Sequence, residues 1–358
     1  MARAAARCAA RTRGRTLHTR DLYEHPVRRV ESDTHPATLA SSCPACLGHD
    51  ATPRFEIGGV PSKLVVCEGC GLGRLEPIPD VDAVQRFYPD EYYGEPGTKF
   101  QPLIERLVRW VGGRHVAFLL RSLPPGARVL DVGCGRGVVL GALADRGIEV
   151  HGVEISCEAT RGADPRVEIR IAPRLAEAAY PADFFDEVLI WHVLEHVHDP
   201  RGTLEEVHRI LRPGGHLVVA VPNLSSLQAR LSGAAWFHLD LPRHLYHFPL
   251  SALQRLLRSL GFEVLSEHHF SLRQNPFGWV QSLLNGIGLF PRNALYTLLH
   301  RRRAGTPPPF AGSTRVVLRL LLVLLAPPAL AASLLGAALR CGATVHVVAR
   351  RPPAHRST

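Results

Sequence analysis

The first twenty residues contain no acidic side chain and no apolar core of the kind a secretory signal requires, which argues against secretion. They carry six arginines instead. A basic leader over residues 1–36, without fixed structure, is therefore expected; organellar transit peptides and over-extended gene starts share this composition. Lysine is scarce throughout, so the formal charge of +10 rests on arginine, gathered at the N-terminus and around Arg301-Arg302-Arg303. Such clusters suit an anionic surface, either phospholipid or nucleic acid. There are eight cysteines, but four stand in two C-x-x-C units and the others are isolated, which fits metal binding in a reducing cytoplasm better than a disulfide framework. With 358 residues, 46% of them hydrophobic, disorder throughout is excluded and there is room for one large domain and a small one.

The stretch from Val129 to Gly137 (VLDVGCGRG) lacks one feature of a dinucleotide fingerprint: Val138 stands where the third glycine of G-x-G-x-x-G would fall. What is present is an aliphatic strand ending in Asp131, then Gly133, Gly135 and Gly137, then the helically spaced Val138, Val139, Leu140, Ala142 and Leu143. The glycines permit positive φ and close approach of a ligand to the backbone, and the helix start offers unpaired N–H groups. A second strand ends at Glu154, placed to accept hydrogen bonds from ribose hydroxyls. These residues resemble the class I S-adenosylmethionine-dependent methyltransferases. The resemblance implies that Asp131, Gly133, Gly135, Gly137 and Glu154 bind S-adenosylmethionine. The family often holds the adenine with an acid or amide after the third strand; Glu177 is near that place, but the contact stays unassigned.

Cys43-Pro-Ala-Cys46 and Cys67-Glu-Gly-Cys70 supply the ligand number and spacing of a tetrahedral four-thiolate zinc site. Between them, Arg54–Ile57 and Lys63–Val66 read as short hairpin strands, so residues 37–80 are expected to form a zinc ribbon. A core this small depends on its metal, worth about 10–16 kcal/mol in comparable modules. With four thiolates the ion has no open position, which makes its role structural. The aromatic-rich Phe87–Tyr93 is expected to pack between ribbon and main domain, and Leu103–Leu120 keeps helical spacing up to Pro124-Pro125-Gly126.

Phe184–Ile190 reads as the fourth strand, followed by His192, Glu195 and His196 at spacing that shares a face if helical. This matches a frequent variant of the family segment near the methyl donor. The three side chains could serve as a base, as a divalent-metal cluster of the type suggested for some related quinone O-methyltransferases, or as hydrogen-bonded braces of the loop. No Asn-Pro-Pro-Tyr-like tetrapeptide follows, which counts against methylation of base amines. His216–Asn223 is the fifth strand. Beyond it Trp236–Phe248, dense in His, Asp, Arg and aromatics, is the expected acceptor cap, because ligands of open α/β sheets sit beyond the carboxyl ends of the strands. His192, His244 and His247 are the candidate catalytic bases.

Phe262–Ser266 reads as the sixth strand and Ala343–Ala349 as the seventh, separated by a long insert. The insert contains the charge-free run Leu320–Leu339, whose 20 residues approach the length that spans a bilayer. Pro327-Pro328 is expected to divide it into a shallow hairpin or a pair of in-plane helices, with entry and exit on one side; burial against the domain or in a dimer is the alternative. The expected fold is therefore α/β: a Rossmann-like, mostly parallel seven-stranded sheet (residues 81–271 and 341–351), with the N-terminal ribbon and a hydrophobic, membrane-associated insert (272–340) before the last strand. The resemblance implies methyl transfer to an O, N or C atom of a small-molecule, glycan or lipid-linked acceptor, and the apolar run with its flanking arginines is expected to keep the chain at the inner face of the cytoplasmic membrane. Its rivals are an RNA methyltransferase, which the apolar run opposes, and a non-catalytic binding protein that keeps the cofactor fold.

Overall fold

The computed structural model describes residues 27–30, 37–38, 41–87, 123–124, 126–300 and 310–354. The expected helices of Leu103–Leu120 and the aromatic segment after Phe87 lie outside these residues, as does most of the basic leader.

The ribbon comprises β1 (Val27–Arg29), β2 (Ala37–Thr38), β3 (Asp50–Ile57), β4 (Lys63–Cys67) and β5 (Gly73–Glu76). β3, β4 and β5 form an antiparallel meander, and β1 pairs with β3 from Val27↔Ile57 to Arg29↔Phe55. Part of the segment expected to be an unstructured leader is thus a strand, held because Val27 packs on the core while β3 offers a free edge. Asp80 caps the short α1 (Val81–Gln85) by accepting from the Ala83 N–H at 2.6 Å.

The second sheet is built from β6 (Arg128–Val132), β7 (Glu149–Glu154), β8 (Glu168–Ile171), β9 (Phe185–Trp191), β10 (Leu211–Pro222), β12 (Glu263–His268) and β13 (Thr344–Arg350), with β11 (Tyr246–His247) elsewhere. Its order is β12-β13-β10-β9-β6-β7-β8, and β13 alone runs against its neighbours. The seven expected strands are all present. The period of two along each strand sends alternate residues to opposite layers: Leu130, Val188, Ile190, Leu217 and Val219 face one core, Val129, Leu189 and Val218 the other.

The helices cover both faces: α2 (Val138–Ala144), α3 (Pro200–Ile210), α4 (Leu227–Ser232), α5 (Leu250–Ser259), α6 (Asn275–Ile287), α7 (Ala294–Leu299) and α8 (Gly312–Ala338). α3 starts at Asp199, which accepts from the Gly202 N–H at 2.8 Å, with Pro200 in the first turn where its missing N–H costs nothing. α5 buries Leu253, Leu256 and Leu257 and is closed by Gly261 at φ 85°.

One expectation is corrected. Pro327 and Pro328 do not divide the apolar run, since α8 is one helix of 27 residues containing both. Each proline in a helix interior costs about 3 kcal/mol. Packing offsets this on both sides of the pair, with Leu318, Leu321, Leu322 and Leu325 before it and Ala329 after it set against Val280, Leu284, Leu295 and Leu298. The ribbon and the main domain are joined directly. β11, supplied by the loop after β10, pairs antiparallel with β5 through Tyr246↔Arg74 and His247↔Gly73, and one core cluster runs from Leu64, Leu72 and Leu75 to Leu245, Tyr246 and Phe248.

Candidate active site

The site forms at the carboxyl end of β6, where Gly133, Gly135 and Gly137 all adopt left-handed φ of 73°, 53° and 65°. A side chain at Gly133 would collide with Val193, whereas nothing lies within 4 Å of where a Gly135 Cβ would be. The first glycine lets β9's continuation pack on the loop; the second faces open space, which is where a ligand can approach the backbone. The loop is fastened to β7: the Gly133 N–H donates to the Val153 carbonyl at 2.7 Å and the Gly135 N–H to Glu154 Oε2 at 2.9 Å. Glu154 Oε1 also accepts from the Ile155 N–H at 2.8 Å.

Asp131 and Glu154 are both buried. Burial, and then the charge on Glu154, push the Asp131 carboxyl up to about 7; burial raises Glu154 as well. Two adjacent buried acids beside a glycine cradle fit a ligand that brings hydroxyl donors and positive charge. S-Adenosylmethionine has both, so Asp131, Gly135 and Glu154 would hold it by its ribose and its cationic groups. Glu177 is exposed and bound to Arg174 at 2.8 Å, so the adenine contact stays unassigned.

At the end of β9 the residues His192 to Val197 form a turn, not a helix. His192 itself is left-handed at φ 54°, and the turn still closes on Glu195, with His192 Nδ1 3.2 Å from Glu195 Oε1. Burial, with Arg273 adding to it, drives the His192 imidazole down to about 3, while burial lifts Glu195 to about 7. His192 Nε2 and Glu195 Oε2 have no hydrogen-bond partner among the described residues. Because Val193 rests on Gly133, this pair adjoins the glycine loop.

The 236–248 segment folds over the turn. His196 Nδ1 lies 3.0 Å from the Arg243 carbonyl, His244 Nδ1 2.9 Å from the His238 carbonyl, and the two rings stand 4.6 Å apart. Ligand atoms of Glu195, His196 and His244 all fall within 4.8 Å of one another, a set that could hold a divalent cation. His247 is placed differently. Its Nε2 meets the Leu239 carbonyl at 2.8 Å from within β11, against the ribbon. Burial lowers His244 well below the usual imidazole range and His247 to about 4. His238, not singled out from the sequence, is buried with an unpartnered Nε2, and burial first, then neighbouring His192, lowers it to about 3. The only signal for it was the density of histidine in the segment.

In the ribbon, Cys43 Sγ lies 3.5 Å from Cys70 Sγ and Cys46 Sγ 3.5 Å from Cys67 Sγ, and all four sulfurs fall within 4.8 Å. Tetrahedral zinc with bonds of about 2.3 Å would set its sulfurs about 3.8 Å apart, so these four residues could hold such an ion.

A family model described as "Methyltransferase domain" matches residues 105–267. The ubiquinone biosynthesis O-methyltransferase of Thiobacillus denitrificans is 30% identical over 53% of this chain and 84% of its own length. The chain belongs to the S-adenosylmethionine-dependent methyltransferases. The Cupriavidus pinatubonensis protein of the same name is 28% identical to this methyltransferase, over 54% of this chain and 80% of its own. Among solved structures, an Archaeoglobus fulgidus SAM dependent methyltransferase is 18% identical, with a TM-score of 0.43 over 68% of this chain and 94% of that one. The strand order, with its reversed β13, carries the fold assignment independently of that likeness.

Proposed function

We propose that this methyltransferase moves the methyl group of S-adenosylmethionine to a hydroxyl oxygen of a small-molecule or lipid-linked acceptor, held beneath the 236–248 segment at the inner face of the cytoplasmic membrane. The observation that carries this reading is the His192–Glu195 pair abutting the glycine loop, with the unpartnered His192 Nε2 available to a reacting group. The names of the relatives, which specify O-methylation in ubiquinone biosynthesis, support oxygen as the acceptor atom.

When bound, the cofactor supplies a methyl group on a sulfonium, which is already an activated electrophile. The chain's own work is then to align the acceptor, exclude water and take its proton. His192 Nε2 receives the hydroxyl proton while Nδ1–H donates to ionised Glu195, which balances the charge that appears on the ring. His244 and the rest of the cap orient the acceptor. Cys43, Cys46, Cys67 and Cys70 hold a structural zinc.

Incubating the protein with labelled cofactor and a panel of hydroxylated aromatic lipids, glycans and RNA tests this. S-Adenosylhomocysteine accumulating with the aromatic lipids is expected; turnover with glycan or RNA alone would transfer the activity to that class, and none with any would leave a binding protein.

A further inference from the structure

We propose that the outer face of α8 seats in the interfacial layer of an anionic phospholipid bilayer, with the helix lying in the membrane plane. This deepens the membrane placement proposed above and stands apart from the chemistry of methyl transfer. A core helix of a soluble protein is mostly buried, but only 17% of the most apolar window of α8 is. Its inner face, through Leu318, Ala329, Ser333 and Gly336, meets the domain. Its outer face presents Leu320, Val323, Leu324, Leu334 and Leu335, each between 52% and 73% exposed. A helix resting on a protein in water carries polar residues on its outer side. From Leu320 to Leu339 this one carries none there.

Charge selects the occupant. No aspartate or glutamate follows Glu267, while eleven arginines do. Arg340, Arg350 and Arg351 are spent on Glu267, Glu263 and Asp183. Arg315 and Arg319, one turn apart at the start of α8, have no anionic partner among the described residues. The half-buried Arg315 and the exposed Arg319 put two guanidinium groups without an anion at one end of an exposed aliphatic face, which matches phosphate headgroups above acyl chains.

Geometry excludes crossing. The inner face is packed along its length, and the chain then returns at once to β13, between β10 and β12, with the Leu227 N–H donating to the Cys341 carbonyl at 3.0 Å. Pro327 and Pro328 have no N–H for the carbonyls of Val323 and Leu324, and those residues are on the exposed side. Such carbonyls need water or headgroups, which the interface supplies and the hydrocarbon centre does not.

The test is co-sedimentation of the full chain, without cofactor, on vesicles of phosphatidylcholine alone or mixed with phosphatidylglycerol. Wild type should partition to the mixed vesicles. Arg315→Gln with Arg319→Gln should weaken that by about tenfold or more while leaving the weaker binding to pure phosphatidylcholine unchanged. Leu320→Glu with Leu324→Glu should abolish both, with circular dichroism and metal content showing an intact fold. The proposal fails if wild type ignores mixed vesicles, if the glutamate variant binds as wild type does, or if the same substitutions instead dissociate a soluble dimer. Methyl transfer by a vesicle-indifferent protein would overturn this surface and leave the chemistry standing; vesicle binding by an inactive one would do the reverse.

Discussion

At Glu154 a single carboxylate closes the glycine loop and faces the ligand space. Its hydrogen bonds to the Gly135 and Ile155 N–H groups fix the cradle before any cofactor arrives. Glu154→Ala removes charge-assisted bonds of about 1.5–3 kcal/mol each, so S-adenosylmethionine affinity should fall by about tenfold or more in calorimetry. His192→Ala should leave that affinity intact and cut kcat by roughly 100- to 10,000-fold if the ring takes the proton. The pH profile separates the two partners. His192, lowered to about 3, is neutral over the working range, so the rate should rise as Glu195 ionises through about pH 7, and Glu195→Gln should remove that rise. Stability runs the opposite way. Asp131 and Glu195 are both raised to about 7 in the folded state, so the contribution of their protonated forms is complete below the unfolded carboxylate range and lost as pH climbs through about 7. The buried His192, His238, His244 and His247, all lowered in the folded state, act in the opposite sense below the ordinary imidazole range, so the acids' share is read as a difference: the melting temperature of Asp131→Asn with Glu195→Gln should gain on that of the unliganded wild type as pH rises from about 5 to 8.

Elements whose signals are local were legible in the sequence. Asp131 to Gly137, the four cysteines and the aliphatic strands each carry their instruction within a few residues, and the structure has them in the expected places. The failures came where a distant partner decides. Pro327-Pro328 should stop a helix by local rules, yet α6 and α7 hold α8 together across it, and nothing near residue 327 announces those partners. The turn from His192 to Val197 satisfies i, i+3 spacing as well as a helix would, so spacing alone could not tell them apart. β11 is only two residues long and meaningless until β5 lies beside it. That pairing links the ribbon to the cap: the Leu75 N–H donates to the Leu245 carbonyl at 2.9 Å, and the Leu245 N–H donates to that of Glu195 at 2.8 Å. Removing the metal, or Cys67→Ser, should therefore raise KM for the acceptor while changing cofactor affinity little. Steady-state kinetics beside calorimetry checks this, with wild type holding one zinc per chain.

Across the whole molecule, ribbon and sheet share one apolar core, to which Arg201 and Arg255 add hydrogen bonds from α3 and α5 to the carbonyls of Pro44 and Gly69. Two units joined this way should unfold together. Scanning calorimetry is expected to give one transition for both, moved to lower temperature as a whole by chelation, and two resolved transitions would show the ribbon to be autonomous. The same junction orders events at the ribosome. β5 is made about 170 residues before its neighbour β11, a delay on the order of ten seconds or more at ordinary elongation rates. Throughout that interval the nascent ribbon displays a bare strand edge beside Leu72 and Leu75, open to any other growing chain, so early metal capture and a chaperone over that edge would decide how much of the protein survives its own synthesis.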